Sequence, residues 1–221
     1  CIVMVTPDGE RTMQTHLGTS AEISETVIEF DALNDADWLY LEGYLAMSPS
    51  VQQAIAQLKQ QAKDNGAKIA VSFADPAVVK FGREGLDAML EGGVDAVFCN
   101  CDEAQLFTNQ TSHSQAATAL LSVANMAVVT NGAAGSIIAV RDDVSRETKL
   151  IDVASLPVDQ VLDTNGAGDN FAGSFLYALS HGHAFADCGK LASSVASQII
   201  QQFGPRLKPA QYQAILQSTL T

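Results

Sequence analysis

The stretch Asp163-Thr164-Asn165-Gly166-Ala167-Gly168-Asp169 sets two carboxylates on either side of a run of small residues. An extended apolar segment, Leu150 to Leu162, leads into it, and a proline-free segment with helical character, Phe171 to Leu179, follows and closes at His181-Gly182. A glycine-rich turn that opens a helix presents free backbone N–H groups and the positive end of a helix dipole, so it attracts an anion. Small side chains let that anion approach the backbone. Asp169 is the exception. A carboxylate in the first turn of a helix complements the dipole, and by residue type alone that is the commoner reason to find one there. Beside a bound phosphate it would repel its neighbour unless it had a task, such as taking a proton from an attacking hydroxyl.

The two best-known glycine loops fit poorly. Gly168 to Gly173 has the Walker spacing, but Ser174-Phe175 follows and the lysine is missing. A dinucleotide fingerprint needs Gly or Ala where Phe171 stands.

The elements that must position this loop alternate along the chain. Trp38–Gly43, Ile69–Phe73, Val94–Phe98 and Met126–Thr130 are short continuous apolar runs with β-branched residues, which is how strands buried on both faces read. Between them, helices are expected over a loosely periodic stretch from Ser20 to Leu33, from Ser48-Pro49 to Asn65-Gly66, from about Ala77 to Leu90 and from His113 to Val123. Strand and helix in alternation predict a three-layer α/β/α fold with a mainly parallel sheet. At the amino end, Ile2–Val5 and Arg11–Leu17 flank Thr6-Pro7-Asp8-Gly9-Glu10 and predict a hairpin. Ligands bind such sheets beyond the carboxyl ends of the strands. Asp75, then Asn100 with Asp102 and Glu103, then Thr130-Asn131-Gly132, and finally the Asp163–Asp169 loop are placed at four such ends. Any one of them alone would more often be a helix cap; together they mark one edge.

The 221 residues suffice for one full core, and 47% apolar with 17% charged residues is a globular composition. A net charge of −13 argues against a nucleic-acid partner but not against one nucleotide held by backbone dipoles and a metal. Cys1, Cys99, Cys101 and Cys188 have no disulfide-framework or zinc-ribbon spacing, so free thiols and a cytoplasmic location are expected. No apolar run is long enough for a membrane span. His181, His183, Asp187 and Cys188 cluster, but a solvated helix–helix turn explains them better than zinc. His16 and His113 have no sequence partner, and Asp142-Asp143 is expected in a hairpin turn.

The motif from Asp163 to Asp169 resembles the carboxy-terminal signature of the ribokinase (PfkB) family of sugar and nucleoside kinases. The resemblance implies an ATP-dependent transfer of phosphate to a hydroxymethyl group of a sugar or nucleoside. Asp169 would be the base, and the backbone N–H groups of Gly166, Ala167 and Gly168 the anion hole. Asn100-Cys101-Asp102-Glu103 looks like the family's Asn-x-x-Glu motif, so Asn100 and Glu103 are expected to organise phosphate and Mg2+, largely through water. Thr130-Asn131-Gly132-Ala133-Ala134-Gly135 is similar to the loop that wraps ATP, giving Thr130, Gly132 and Gly135 a nucleotide contact. A last helix from Lys190 to Gln202 would lie beside the adenine, with Ser193 near the base. Asp163 and Asn165, with carbonyls near Ile199, Gln202 and Gly204, correspond to a monovalent-cation (K+) site in many relatives. Ser72–Pro76, with Arg83-Glu84, resembles adenosine-kinase-like bacterial members, and the amino-terminal hairpin resembles part of a β-sheet lid, with Arg11 as a ligand contact.

The resemblance covers residues 1–221 as one ribokinase-like domain, but as the last two thirds of a family member. The amino-terminal third, with its Gly-Gly motif and substrate-binding Asp, is expected to be missing, since Cys1-Ile2-Val3-Met4-Val5 opens in mid-strand. A processed terminus is the alternative. The expected partners are a small sugar or nucleoside and, left open, a second copy of the chain. Two other functions stay open: a catalytically silent nucleotide or purine-nucleoside binder, and a dinucleotide-binding oxidoreductase.

Overall fold

The computed structural model describes residues 1–6, 11–16, 18–19, 23–142 and 147–220, without the side chain of Arg11. The chain forms two compact units: Leu17–Thr130 with Ile137–Leu150, and Cys1–His16 with Asn131–Ser136 and Ile151–Thr221.

In the larger unit the apolar runs become β3 (Trp38–Leu41), β4 (Lys68–Ser72), β5 (Val94–Asn100) and β6 (Ala124–Thr130), each paired in parallel with the next. With β7 (Ser136–Arg141) and β8 (Thr148–Val153) they give a six-stranded sheet in the order β3-β4-β5-β6-β7-β8. Ile69, Ala70, Val71, Ala96, Val97, Ala127, Val128 and Val129 are all buried. Successive residues point to opposite faces, so consecutive burial means that both faces are covered. The sheet is α/β and mainly parallel, as the sequence implies.

The helices differ in detail. Pro49–Val51 is a 3-10 turn leading into α1 (Gln52–Asn65), and Gly66 ends it at φ 78°. Ser48 makes no side-chain capping bond, because its hydroxyl faces that of Ser50 at 3.1 Å. The helix expected from Ala77 to Leu90 breaks at Gly82 into α2 (Pro76–Phe81) and α3 (Arg83–Leu90). The stretch from Ser20 to Leu33 does not form an α-helix in its described part; it makes 3-10 turns at Glu25–Val27 and Phe30–Leu33. Leu33 is buried and Ile23 and Ile28 pack against the core from this irregular chain, while Val27 is 66% exposed, and the β-branched Thr26-Val27-Ile28 run lowers helix propensity. The sequence also hides α4 (Cys101–Thr108), while α5 (His113–Ala119) runs into a 3-10 turn, Leu120–Ser122.

The smaller unit holds the antiparallel pair β1 (Ile2–Val5) and β2 (Arg11–Gln14), in register Ile2↔Gln14 to Val5↔Arg11. The hairpin is present, although residues 7–10 of its turn lie outside the described residues. Its helices are α6 (Ala167–Ser180), α7 (Phe185–Ile199) and α8 (Pro209–Thr219). On α7 the buried residues Cys188, Leu191, Ala192, Val195 and Ile199 follow the helical period, and the helix packs against α6, where Phe171, Phe175 and Leu176 are buried. The expected helix from Lys190 to Gln202 is therefore α7, begun five residues earlier and stopped at Ile199. Among the described residues no helix is long and apolar enough to cross a membrane.

Candidate functional site

The Asp163–Asp169 loop does not end a strand. β8 stops at Val153, and residues 154–166 carry no regular structure, in a segment where Pro157 cannot donate to a ladder. What the loop does end on is a helix. Gly166, at φ 75°, is the N-cap of α6, and no side chain caps that terminus. Ala167 N–H bonds to the Thr164 carbonyl at 3.3 Å, and Asn170 N–H to the Gly166 carbonyl at 3.0 Å. The N–H groups of Gly166, Gly168 and Asp169 have no partner among the described residues. The turn thus exposes donors at the positive end of a 14-residue helix, with the exposed Asp169 in its first turn.

Gly166 is required twice over. Its φ is left-handed, and a Cβ there would lie 2.6 Å from Pro205 Cβ and 2.8 Å from the Pro205 carbonyl oxygen. At Gly168 an added Cβ would meet nothing within 4 Å. One glycine makes the turn, and the other leaves room above it.

Three ties hold the turn. Asp163, buried to 4% exposure, accepts from Asn165 N–H at 2.8 Å through Oδ1 and from Gly204 N–H at 3.0 Å through Oδ2. Leu162 N–H bonds to the Ile200 carbonyl at 2.7 Å. Asn170 Nδ2 donates to the carbonyls of Gly166 and Pro205, both at 2.7 Å, while its Oδ1 accepts from the Tyr212 hydroxyl of α8. Sequence reasoning missed Asn170, Pro205 and Tyr212. The signal for α8 was present in Lys208-Pro209, with Pro at the first helical position, but nothing in the chain announces that Tyr212 pairs with a residue 42 positions away.

The same unit contains the loop after β6. Asn131 N–H bonds to the Gly135 carbonyl at 2.7 Å and closes a 3-10 turn, Gly132–Ala134. Gly135, at φ 88°, lets the chain pass where a Cβ would sit 2.2 Å from the Val153 carbonyl oxygen. Gly132 faces open space. Ser193 is buried on α7, and its hydroxyl makes no hydrogen bond to another described residue.

The remaining candidates lie in the larger unit, at the carboxyl edge of the parallel strands. Asn100 ends β5 opposite Thr130, the last residue of β6. Asn100 then caps α4: its Oδ1 accepts from Glu103 N–H at 2.8 Å, and the Glu103 carboxylate accepts from Asn100 N–H at 2.9 Å and from its Nδ2 at 2.7 Å. This is a capping box with a further side-chain bond. Glu103 is only 4% exposed. Burial, with Glu103 and Cys101 nearby, pushes the Cys99 thiol well above its usual pKa. The Thr130 hydroxyl donates to the Cys99 carbonyl at 3.5 Å. Asp75 caps α2 by accepting from Ala77 N–H at 2.7 Å, and Arg83 pairs with Asp87 at 2.9 Å and stacks 3.9 Å over Phe107.

The histidine cluster is structural in its bonding. His181 Nδ1 meets the Tyr177 carbonyl at 2.8 Å, Cys188 Sγ donates to the His183 carbonyl at 3.5 Å, and Asp187 pairs with Lys190 at 2.9 Å. His113 Nε2 meets the Val129 carbonyl at 3.0 Å. No group of three or more His, Cys, Asp or Glu among the described residues could hold a metal by itself.

Known proteins resemble both units. A probable sugar kinase from Rhizobium etli CFN 42 superposes with TM-score 0.89 at 34% identity, over 99% of this chain and 65% of its own. The adenosine kinase from Sinorhizobium meliloti gives TM-score 0.88 at 32% identity, over 98% of this chain and 64% of its own. The adenosine kinase of Schizophyllum commune is 28% identical over 94% of this chain and 64% of its own length. The chain therefore spans a little under two thirds of these relatives. Residues 1–211, which include the uncapped, glycine-opened α6, match the pfkB family carbohydrate kinases, and the chain belongs to that family.

Proposed function

We propose that this chain, as one kinase domain of the whole protein, transfers the γ-phosphoryl group of ATP to a hydroxymethyl group of a sugar or nucleoside, in the manner of ribokinases and adenosine kinases. One observation carries the reading: α6 opens with unpaired N–H groups and an aspartate instead of a side-chain cap. ATP with magnesium, which pfkB kinases use, supplies the phosphoryl group and neutralises its charge. The open space over Gly168 and Gly132 fits a phosphate chain lying against backbone. Gly166, Gly168 and Asp169 donate their N–H groups to the transferring group, with Ala167 N–H shared with Thr164, and the donors need no reorganisation as charge develops. The Asp169 carboxylate takes the proton from the acceptor hydroxyl.

Thr130, Gly132, Gly135 and Ser193 are assigned to the nucleotide. The closed capping box leaves Glu103 and Asn100 suited to order magnesium through its waters, which this metal usually keeps, and not by direct ligation. Asp163 and Asn165 are assigned to a monovalent cation, for which the free lone pairs of the Asp163 carboxylate remain. The dinucleotide-oxidoreductase reading gains no support, since bulky Phe171 is buried where that fingerprint needs Gly or Ala.

The test is ADP release by the whole protein with MgATP and a panel of ribose, fructose, adenosine and guanosine. Turnover on one of them is expected. ATP binding without turnover on any would favour the silent nucleotide binder instead.

A further inference from the structure

The Asn170 side chain is fixed in its orientation as well as its place. Nδ2 faces the carbonyl oxygens of Gly166 and Pro205, both at 2.7 Å, so only the amide's donor end fits there. Oδ1 is left to accept from the Tyr212 hydroxyl, and that hydroxyl in turn accepts from Leu207 N–H at 3.3 Å. The Gly166 carbonyl consequently takes two donors, Asn170 N–H at 3.0 Å and Asn170 Nδ2. Pro205 also packs within reach of the Gly166 α-carbon. A peptide plane with two donors on its oxygen cannot rotate without breaking both bonds. Ala167 N–H lies on the other side of that same plane, and the unpaired donors of Gly168 and Asp169 follow from it in the helix. Tyr212 sits on α8, which has no buried residue, so apolar packing alone does not set where its hydroxyl lies.

We propose that Asn170 and Tyr212 are positioning residues for phosphoryl transfer, locking the Gly166 peptide so that the first-turn donors of α6 point at the transferring group. The inference rests on the kinase reading above. Through it, α8 sets the geometry of the anion turn by a single hydroxyl. Neither side chain needs to touch the substrate. Tyr212→Phe keeps the ring and removes the O–H, which leaves Asn170 Oδ1 and Leu207 N–H without their partner and leaves the amide held from its Nδ2 end alone.

The experiment compares the whole protein with its Tyr212→Phe, Asn170→Ala and doubly substituted forms. Calorimetry with magnesium and AMP-PNP, thermal melts and steady-state kinetics well below the melting temperature are the readouts. For Tyr212→Phe, AMP-PNP affinity is expected to fall about threefold to tenfold, the size of one hydrogen bond, and kcat by about tenfold, while the acceptor KM holds. The double variant should be no worse than the weaker single one, because both act through one plane. If Asn170→Ala does not fold, Tyr212→Phe decides alone. A lowered melting temperature with kcat and affinity within about twofold of the parent would make the tie purely structural and overturn the proposal. So would additive losses in the double variant. A parent that binds no AMP-PNP overturns the kinase reading and the positioning role with it, whereas a binding parent with unaltered variants overturns the positioning role alone.

Discussion

Two helix N-termini in this chain solve the same problem in opposite ways. At α4, Asn100 and Glu103 close a reciprocal cap, so the first-turn donors and the carboxylate satisfy one another at 2.7 to 2.9 Å. At α6, Gly166 offers no side chain, and the donors of Gly168 and Asp169 stay open. A closed terminus contributes to stability, on the order of 1 kcal/mol for its cap. An open one forgoes that contribution and keeps a place for an anion. The difference separates residues that hold a fold from residues that wait for a ligand, although both sets are polar residues at the mouths of helices.

The largest effect should come from the open terminus. In the whole protein, Asp169→Asn is expected to lower kcat by about 10²–10⁴-fold, the usual contribution of a placed general base, with ATP affinity nearly unchanged. Steady-state kinetics beside calorimetry reads both numbers, and a variant with the parent's kcat would remove Asp169 from the chemistry.

Next come the two glycines of the same turn, which should fail differently. Gly166→Ala drives a Cβ toward Pro205 at a left-handed φ and should cost roughly 2–4 kcal/mol of stability by denaturant titration. Gly168→Val adds a Cβ that has no atom beyond its own turn of helix within 4 Å. It should leave the melting temperature nearly alone and weaken magnesium–AMP-PNP binding by more than about tenfold. Equal damage to stability from both would erase the distinction between making the turn and leaving room above it.

At the closed terminus the expected loss is smaller and of another kind. Asn100→Ala removes the cap and should destabilise the fold by about 1 kcal/mol, seen as a shifted denaturant midpoint. A stability unchanged by this substitution would mean that the box is not what holds α4. The smallest effect is chemical. Cys99 is buried beside Glu103, and both raise its thiol pKa, so at pH 8 it stays protonated. Since the thiolate is the reactive form, Cys99 should resist a disulfide reagent in the folded protein and react only on unfolding. Rapid labelling of Cys99 in the native state would show the closed terminus to be open.

Much of this was readable in the residues. The parallel strands were, because consecutive buried residues such as Ile69-Ala70-Val71 leave an unbroken apolar run. The turn from Asp163 to Asp169 was as well, since few other reasons gather that many small residues ahead of a helix. The segment after β8 was misjudged, because apolar content from Leu150 to Leu162 looks like a strand whether or not a partner strand is available to pair with it. The stretch from Ser20 to Leu33 was misjudged because Ile23, Ile28 and Leu33 reach the core from 3-10 turns, which a loose apolar spacing does not distinguish from an α-helix. α4 was hidden because its first residues read as strand-end chemistry; Asn100 and Glu103 are three apart, and that spacing serves a cap as well as a metal. The Asn170–Tyr212 tie lay beyond sequence altogether, as long-range pairing of two common polar residues leaves no local pattern.

The most direct test of the contrast is a titration of the isotope-labelled protein with magnesium and AMP-PNP, followed through its backbone amide resonances. The account predicts saturable shifts that are largest at Gly168 and Asp169, whose N–H groups are open, and small at Asn100 and Glu103, whose N–H groups are already bonded to each other's side-chain oxygens. Unmoved amides at Gly168 and Asp169 in a protein that nonetheless binds the nucleotide would contradict it.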